Sequence, residues 1–192
     1  MVIYTFGVAS PWYWAEVVNR QALRIRELQN KLAGYLHDAR AHQAPIPEAH
    51  GQDARLSIPH LMGIDAHFLV YAADHALTIC SRFRRLSNNN PVISRALTAF
   101  TANFAHLPDV RDLLAHFEDH VIGQGRRPIA GQLGVPLDNH PHICFDEGDV
   151  ELRGEVTFGM PGRAVPVYEL AEGVTELVRV ANGEWDLYTA KG

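Results

Sequence analysis

Arg111-Asp112-Leu113-Leu114-Ala115-His116 places an arginine and a histidine five residues apart, with a carboxylate directly after the arginine. Arginine is a permanently charged fork of N–H donors that suits a phosphate. Histidine takes and gives a proton near neutral pH more readily than other side chains. The two groups suffice for a metal-free attack by a ribose 2′-hydroxyl on its own phosphodiester. Asp112 stands four residues before His116, where on a helix it can orient the ring and favour its charged form.

These residues need a helix to present them. Val110, Leu113, Leu114, Phe117 and Val121 recur at helical spacing after Pro108, and Gly123 ends the run. At 100° per residue, Arg111 and His116 fall on opposite borders of the polar face, about 140° apart. They converge on one ligand only if a second copy of the chain covers that face. Arg111 in the first turn opposes the helix dipole unless an anion comes to it. The plainer alternative is that Asp109 and Asp112 neutralise Arg111 and the face is simply solvated.

Three helices are expected ahead of this one. The first starts at Pro11 or Trp12 and runs to about His42, with Trp14, Val17, Val18, Ala22, Ile25, Leu28, Leu32 and Tyr35 as its apolar set. Ala44 to Gly51 reads as a loop. The second opens at Ser57-Ile58-Pro59, with serine as the cap, and stops at Asn88-Asn89-Asn90-Pro91. Asn90 caps the third, which passes Val92, Ala96, Leu97, Phe100 and Phe104. Short connections among four helices suggest antiparallel neighbours in a bundle.

From Gly123 to Pro141 the chain is rich in Gly and Pro and reads as a linker or an ordered loop. His142–Phe145 and Val150–Phe158 flank Asp146-Glu147-Gly148-Asp149, a hairpin signal. Arg163–Val167 adds a third strand, and Tyr168–Val180 a helix that Asn182-Gly183 terminates. The expected fold is therefore mainly α: a four-helix bundle over residues 1–127, with an acidic α+β tail over 128–192 docked on it.

Two cysteines far apart, Cys80 and Cys144, show no metal-knuckle spacing, and no run of about eighteen apolar residues occurs. The N-terminus lacks the basic head of a secretory signal. A reduced, cytoplasmic protein without a membrane span is the expectation. The net charge of −5 argues against a general nucleic-acid binder, but it is unevenly spread. The first 130 residues hold 13 of the 17 Lys and Arg and 11 of the 22 Asp and Glu, so the front is mildly basic and the rest acidic.

Other constellations have plainer readings. His116 and His120 have a zinc-sharing spacing that Asp112 extends, yet no glutamate follows His116 and no distal ligand is evident. His140, His142 and Cys144 would share a strand face, but Pro141 disfavours a regular strand there. The expectation is no metal and no cofactor. His67 beside the apolar stripe of the second helix reads as a core histidine. Arg82, Arg84 and Arg85 end that helix, where the dipole favours cations; with Arg126 and Arg127 they alternatively form an RNA-binding surface.

The order of four helices, with Arg111-Asp112-x-x-x-His116 opening the last, resembles the HEPN (higher eukaryotes and prokaryotes nucleotide-binding) superfamily. Ile64-Asp65-Ala66-His67-Phe68-Leu69, Leu107-Pro108-Asp109-Val110, His116-Phe117-Glu118-Asp119-His120 and Gly123-Gln124-Gly125-Arg126 are similar to bacterial HEPN-like proteins, over roughly residues 12–127. The resemblance implies a homodimer whose motif helices meet at a two-fold axis and form a composite cleft. It implies a metal-independent endoribonuclease of toxin or defence type, with a protein antidote as a further partner. Arg111 would hold the scissile phosphate, His116 would transfer protons, and Asp112 would orient them. The other class the family allows is a non-catalytic interaction or nucleotide-binding module.

Overall fold

The computed structural model describes residues 10–42, 48–49, 52–115, 141–146, 149, 151–160 and 162–190. These are mainly helical, with a three-stranded antiparallel sheet in the C-terminal part. Helix α1 spans Pro11–His42, as its apolar period predicts, burying Ala15, Val18, Ala22, Ile25 and Leu32 along one stripe. Glu48–Ala49 (β1) and Gln52–Asp53 (β2) form a minimal antiparallel ladder where the sequence predicts only a loop.

That ladder leads directly into α2, Ala54–Leu86, so Ser57 is not its cap. Ser57 is buried inside the helix, and Pro59 occupies its sixth position, at the expense of one backbone hydrogen bond. The helix ends as the asparagine run dictates. Asn88 and Asn89 both take φ of 56°, a conformation asparagine tolerates better than most residues. Asn90 then accepts hydrogen bonds from the backbone of Val92 (2.8 Å) and Ile93 (3.2 Å), capping α3, Pro91–Asn103. After a turn, α4 covers Leu107–Ala115.

Strands β3 (His142–Phe145), β4 (Val156–Met160) and β5 (Arg163–Pro166) lie side by side in chain order. The expected turn at Asp146–Asp149 closes, with the Asp149 amide donating to the Asp146 carbonyl (2.9 Å), but Phe145 pairs with Val156, so the next strand does not follow the turn directly. The acidic residues act within a longer connection instead. The Asp149 carboxylate accepts from the Gly154 amide. Glu155 Oε1 accepts from the Val156 amide (3.1 Å) and from the Tyr168 amide (2.8 Å) in the first turn of the next helix. That helix N-terminus follows Pro166, which has no capping side chain, and the glutamate supplies both acceptor and charge.

The last helix, α5, spans Val167–Thr189 and does not stop at Asn182-Gly183. Tertiary contacts outweigh the roughly 1 kcal/mol that a helical glycine costs. Beyond it, Trp185 stacks on Phe83 with ring centroids 4.7 Å apart, and Glu184 accepts from Asn90 Nδ2 at 2.9 Å. Val167, Leu170, Ala171, Val174, Leu177, Val178 and Ala181 are buried along one face, packed on α1, α2 and α3. By contrast α4 packs chiefly on α2 and β5. A Cβ at Gly173 would lie 2.5 Å from the Phe104 ring, which shows how closely α3 approaches α5.

A polar network ties α1 to this C-terminal part. Gln29, fully buried, donates to the Gly154 carbonyl (3.1 Å) and accepts from the Tyr168 hydroxyl (2.6 Å). The Arg26 guanidinium lies 3.5 Å over the Tyr168 ring, and burial pushes that phenol's pKa up to about 12. Tyr168→Phe would leave Gln29 Oε1 buried without its donor. We expect a loss of about 1–3 kcal/mol, read from the urea midpoint, with an unchanged denaturant slope.

Candidate functional site

The short helix α4 positions the sequence motif by burying Leu107, Val110 and Leu113, leaving the opposite side to Arg111 and Asp112. Both are half-buried rather than part of the core. Arg111 is the fifth residue of α4, because the helix begins at Leu107, so it stands just past the first turn. Among the described residues its ion-pair partner is neither Asp109 nor Asp112, the carboxylates nearest in sequence. Nη1 lies 3.5 Å from Oδ2 of Asp74 on α2, with side chains 38% and 27% exposed. Asp109 is instead 4.0 Å from the His106 ring.

Asp74 was not legible as a site residue, since the pairing exists only because α4 packs on α2. A carboxylate on this half-open guanidinium restrains its direction without enclosing it. A guanidinium carries five N–H groups in a planar fork, and Asp74 approaches it from the Nη1 side. An exposed pair of this kind is weak, so an incoming phosphate can compete with it.

His116, Phe117, His120, Val121, Arg126, Arg127 and His140 lie outside the described residues. The expected burial of Phe117 and Val121 falls there too, as does the angle between Arg111 and His116. Of the second-helix arginines, Arg82 and Arg85 are exposed near the end of α2, while Arg84 is half-buried. His67 is not a core residue. It is half-buried, stacks on Tyr71 at 5.1 Å, and burial lowers its pKa, so its ring favours the neutral form.

A cleft of about 500 Å³ opens between α2, the end of α4 and the sheet, with His60, His67 and His142 in its walls and Phe158 beneath. The sequence reading missed it, because these histidines belong to elements far apart in the chain. Among the described residues no group of three His, Cys, Asp or Glu is placed to hold a metal ion. His142 and Cys144 do share a face of β3, but no cluster completes them among those residues.

Asp65, also on α2, is nearly enclosed, its side chain 4% exposed, with the Arg24 guanidinium at 3.3 Å. Burial raises its pKa above the ordinary 3.8, although Arg24 pulls the other way. The folded state then binds this proton more tightly than the unfolded state. Stability from this group is present at low pH and falls as pH rises through the raised value. Asp65→Asn should therefore be more stable than wild type at neutral pH, with the gain disappearing in acid. Denaturation at neutral pH and below pH 3.8 would show it, and a destabilised variant at neutral pH would contradict it.

Both cysteines are free, and burial pushes the Cys80 thiol up to about 12, which leaves it inert. No described helix is long and apolar enough to cross a membrane. The chain matches no protein-family model, no curated protein and no solved structure. The functional reading therefore rests on the residues themselves.

Proposed function

We propose that this protein is a metal-independent RNA endonuclease built on a HEPN-like four-helix bundle, acting as a homodimer through Arg111, Asp112 and His116. One observation carries the reading. Arg111 projects from α4 into a half-open position, steadied by a carboxylate from a different helix, five residues before a histidine. Such an arginine suits a phosphodiester: the fork binds the non-bridging oxygens and offsets the charge that grows as the 2′-oxygen attacks. His116 supplies proton transfer to or from the 2′-oxygen or the leaving group, and Asp112 orients it. Ile64 and Phe68, large apolar side chains exposed on α2 ahead of Asp74, are surface that a second copy would cover.

The Arg111–Asp74 pair also favours a second reading, because a matched arginine already has a structural role. In that case the face binds a nucleotide, an RNA or a partner such as an antidote without cutting. The purified protein incubated with mixed RNA in EDTA decides between them. Fragments ending in 2′,3′-cyclic phosphate are the expected result. Intact RNA, still bound in an Arg111-dependent way, would leave only the non-catalytic reading.

A further inference from the structure

The cleft between α2, the end of α4 and the sheet has a lining that narrows what it can take. His60, Gly63 and His67 stand on one row of α2, at i, i+3 and i+7, and His142 of β3 joins them in the wall. Leu114 of α4 and Phe158 of β4 supply apolar surface. The volume of about 500 Å³ falls in the small-molecule range of about 300–1,000 Å³. Gly63 keeps the cleft open, since a Cβ there would meet no atom within 4 Å. The His67 ring lies 5.1 Å from that of Tyr71 and 6.1 Å from that of Phe68, between centroids. Among the described residues it makes no hydrogen bond, and neither of its ring nitrogens is enclosed.

Among the described residues no Lys, Arg, Asp or Glu lines the cleft. A charged ligand would therefore leave water without meeting an opposite charge, which is costly. Burial, which lowers the pKa of His67, favours its neutral ring and so works against a cation there. A purely aliphatic ligand fails for a different reason. It would take the imidazoles out of water with nothing to pair them. A neutral imidazole offers one N–H donor and one nitrogen acceptor. We propose that the cleft binds a small uncharged aromatic heterocycle that carries an N–H donor and a ring-nitrogen acceptor on its edge. The ring packs on Phe158 and Leu114, and His60 and His67 pair with its edge from the α2 side. Such a ring can come as a free heterocycle or as the base of a nucleoside. The inference does not rest on the RNA reading, since it uses neither Arg111 nor the cleavage step.

The test is a titration at about pH 8, above the ordinary histidine pKa of about 6.5, read by calorimetry and by the NMR signals of the histidine rings. Benzimidazole has the stated donor and acceptor and no charge at that pH, and should shift the ring signals of His60 and His67. Benzoate and protonated benzamidine, aromatic ions of similar size and opposite sign, should bind weaker by about tenfold or more. Gly63→Leu fills the cleft from a position with room for its Cβ; it should keep the helical circular dichroism and weaken benzimidazole about tenfold or more. His67→Phe keeps a ring but not its hydrogen bonds, and should cost about two- to tenfold. Gly34→Leu makes the same change on α1, also with nothing within 4 Å and outside the cleft, and should bind like wild type. Adenine and adenosine then separate the sources. Equal affinities assign the base of a nucleoside, and a loss of about tenfold in adenosine assigns a free heterocycle. No binding of benzimidazole or adenine by the wild type, ions that bind as tightly as benzimidazole, or wild-type affinity in Gly63→Leu overturns the site.

Discussion

Arg111→Ala should reduce RNA cleavage about 10²- to 10³-fold, the usual loss when one donor to a developing oxyanion is removed. His116→Ala should cost about 10²- to 10⁴-fold, as expected for an acid–base group. The double variant should be no worse than the poorer single one, because groups serving one transition state fail together. Arg111→Lys keeps the charge but not the planar fork, and should recover only part of the rate. Asp112→Asn should lose less than either alanine variant.

The Arg111 variants should also melt close to wild type. Its pair with Asp74 is half-exposed, and such pairs contribute at most about 1 kcal/mol. Single-turnover rates in EDTA, together with thermal melts, measure both sides. Full activity in Arg111→Ala would remove the phosphate-clamp role. A collapse in melting temperature would show that the arginine is structural, beyond what its pair with Asp74 can contribute.

Removing residues 141–192 should abolish folding, whereas removal of a docked appendage would leave the helical part intact. The reason is α5. Seven of its residues are buried, in the same core as α1, α2 and α3, and cutting it away would expose the apolar faces of all three. Leu170→Ala is the point version of the experiment. That side chain is fully buried, and its truncation should cost about 2–5 kcal/mol, depending on how far the cavity collapses. A truncated chain with native-like helical circular dichroism and a cooperative urea transition would contradict this. Binding of a hydrophobic dye without a cooperative transition is the expected outcome.

The contrast between these experiments shows how far one-dimensional reasoning reaches. The bounds of α1 followed from apolar period, and the α2–α3 junction from three asparagines and a proline, whose conformational preferences are local. Strand β5 was legible in the same way. Where local signals failed, a distant contact had overridden them. Asn182-Gly183 is a reasonable helix stop, but Phe83 stacking on Trp185 and the Asn90–Glu184 bond hold the helix past it. Asp146–Asp149 is a reasonable turn, but the strand it should open starts only at Val156, after Gln29 and Arg26 of α1 have taken the Gly154 and Arg153 carbonyls.

The candidate site divides along the same line. The chemical types and spacing of Arg111, Asp112 and His116, and the stripe that buries Leu113 while leaving Arg111 at the surface, are properties of the sequence alone. So is the arginine cluster at the end of α2. Which carboxylate meets Arg111, which of the three arginines is half-buried, and which histidines share a cleft depended on how α2 packs against α3, α4 and the sheet. Periodicity states which face of a helix is buried, because burial acts on each side chain by itself. It does not state against what, since partner choice depends on shape and charge across elements far apart in the chain, and that was decided only by the tertiary structure.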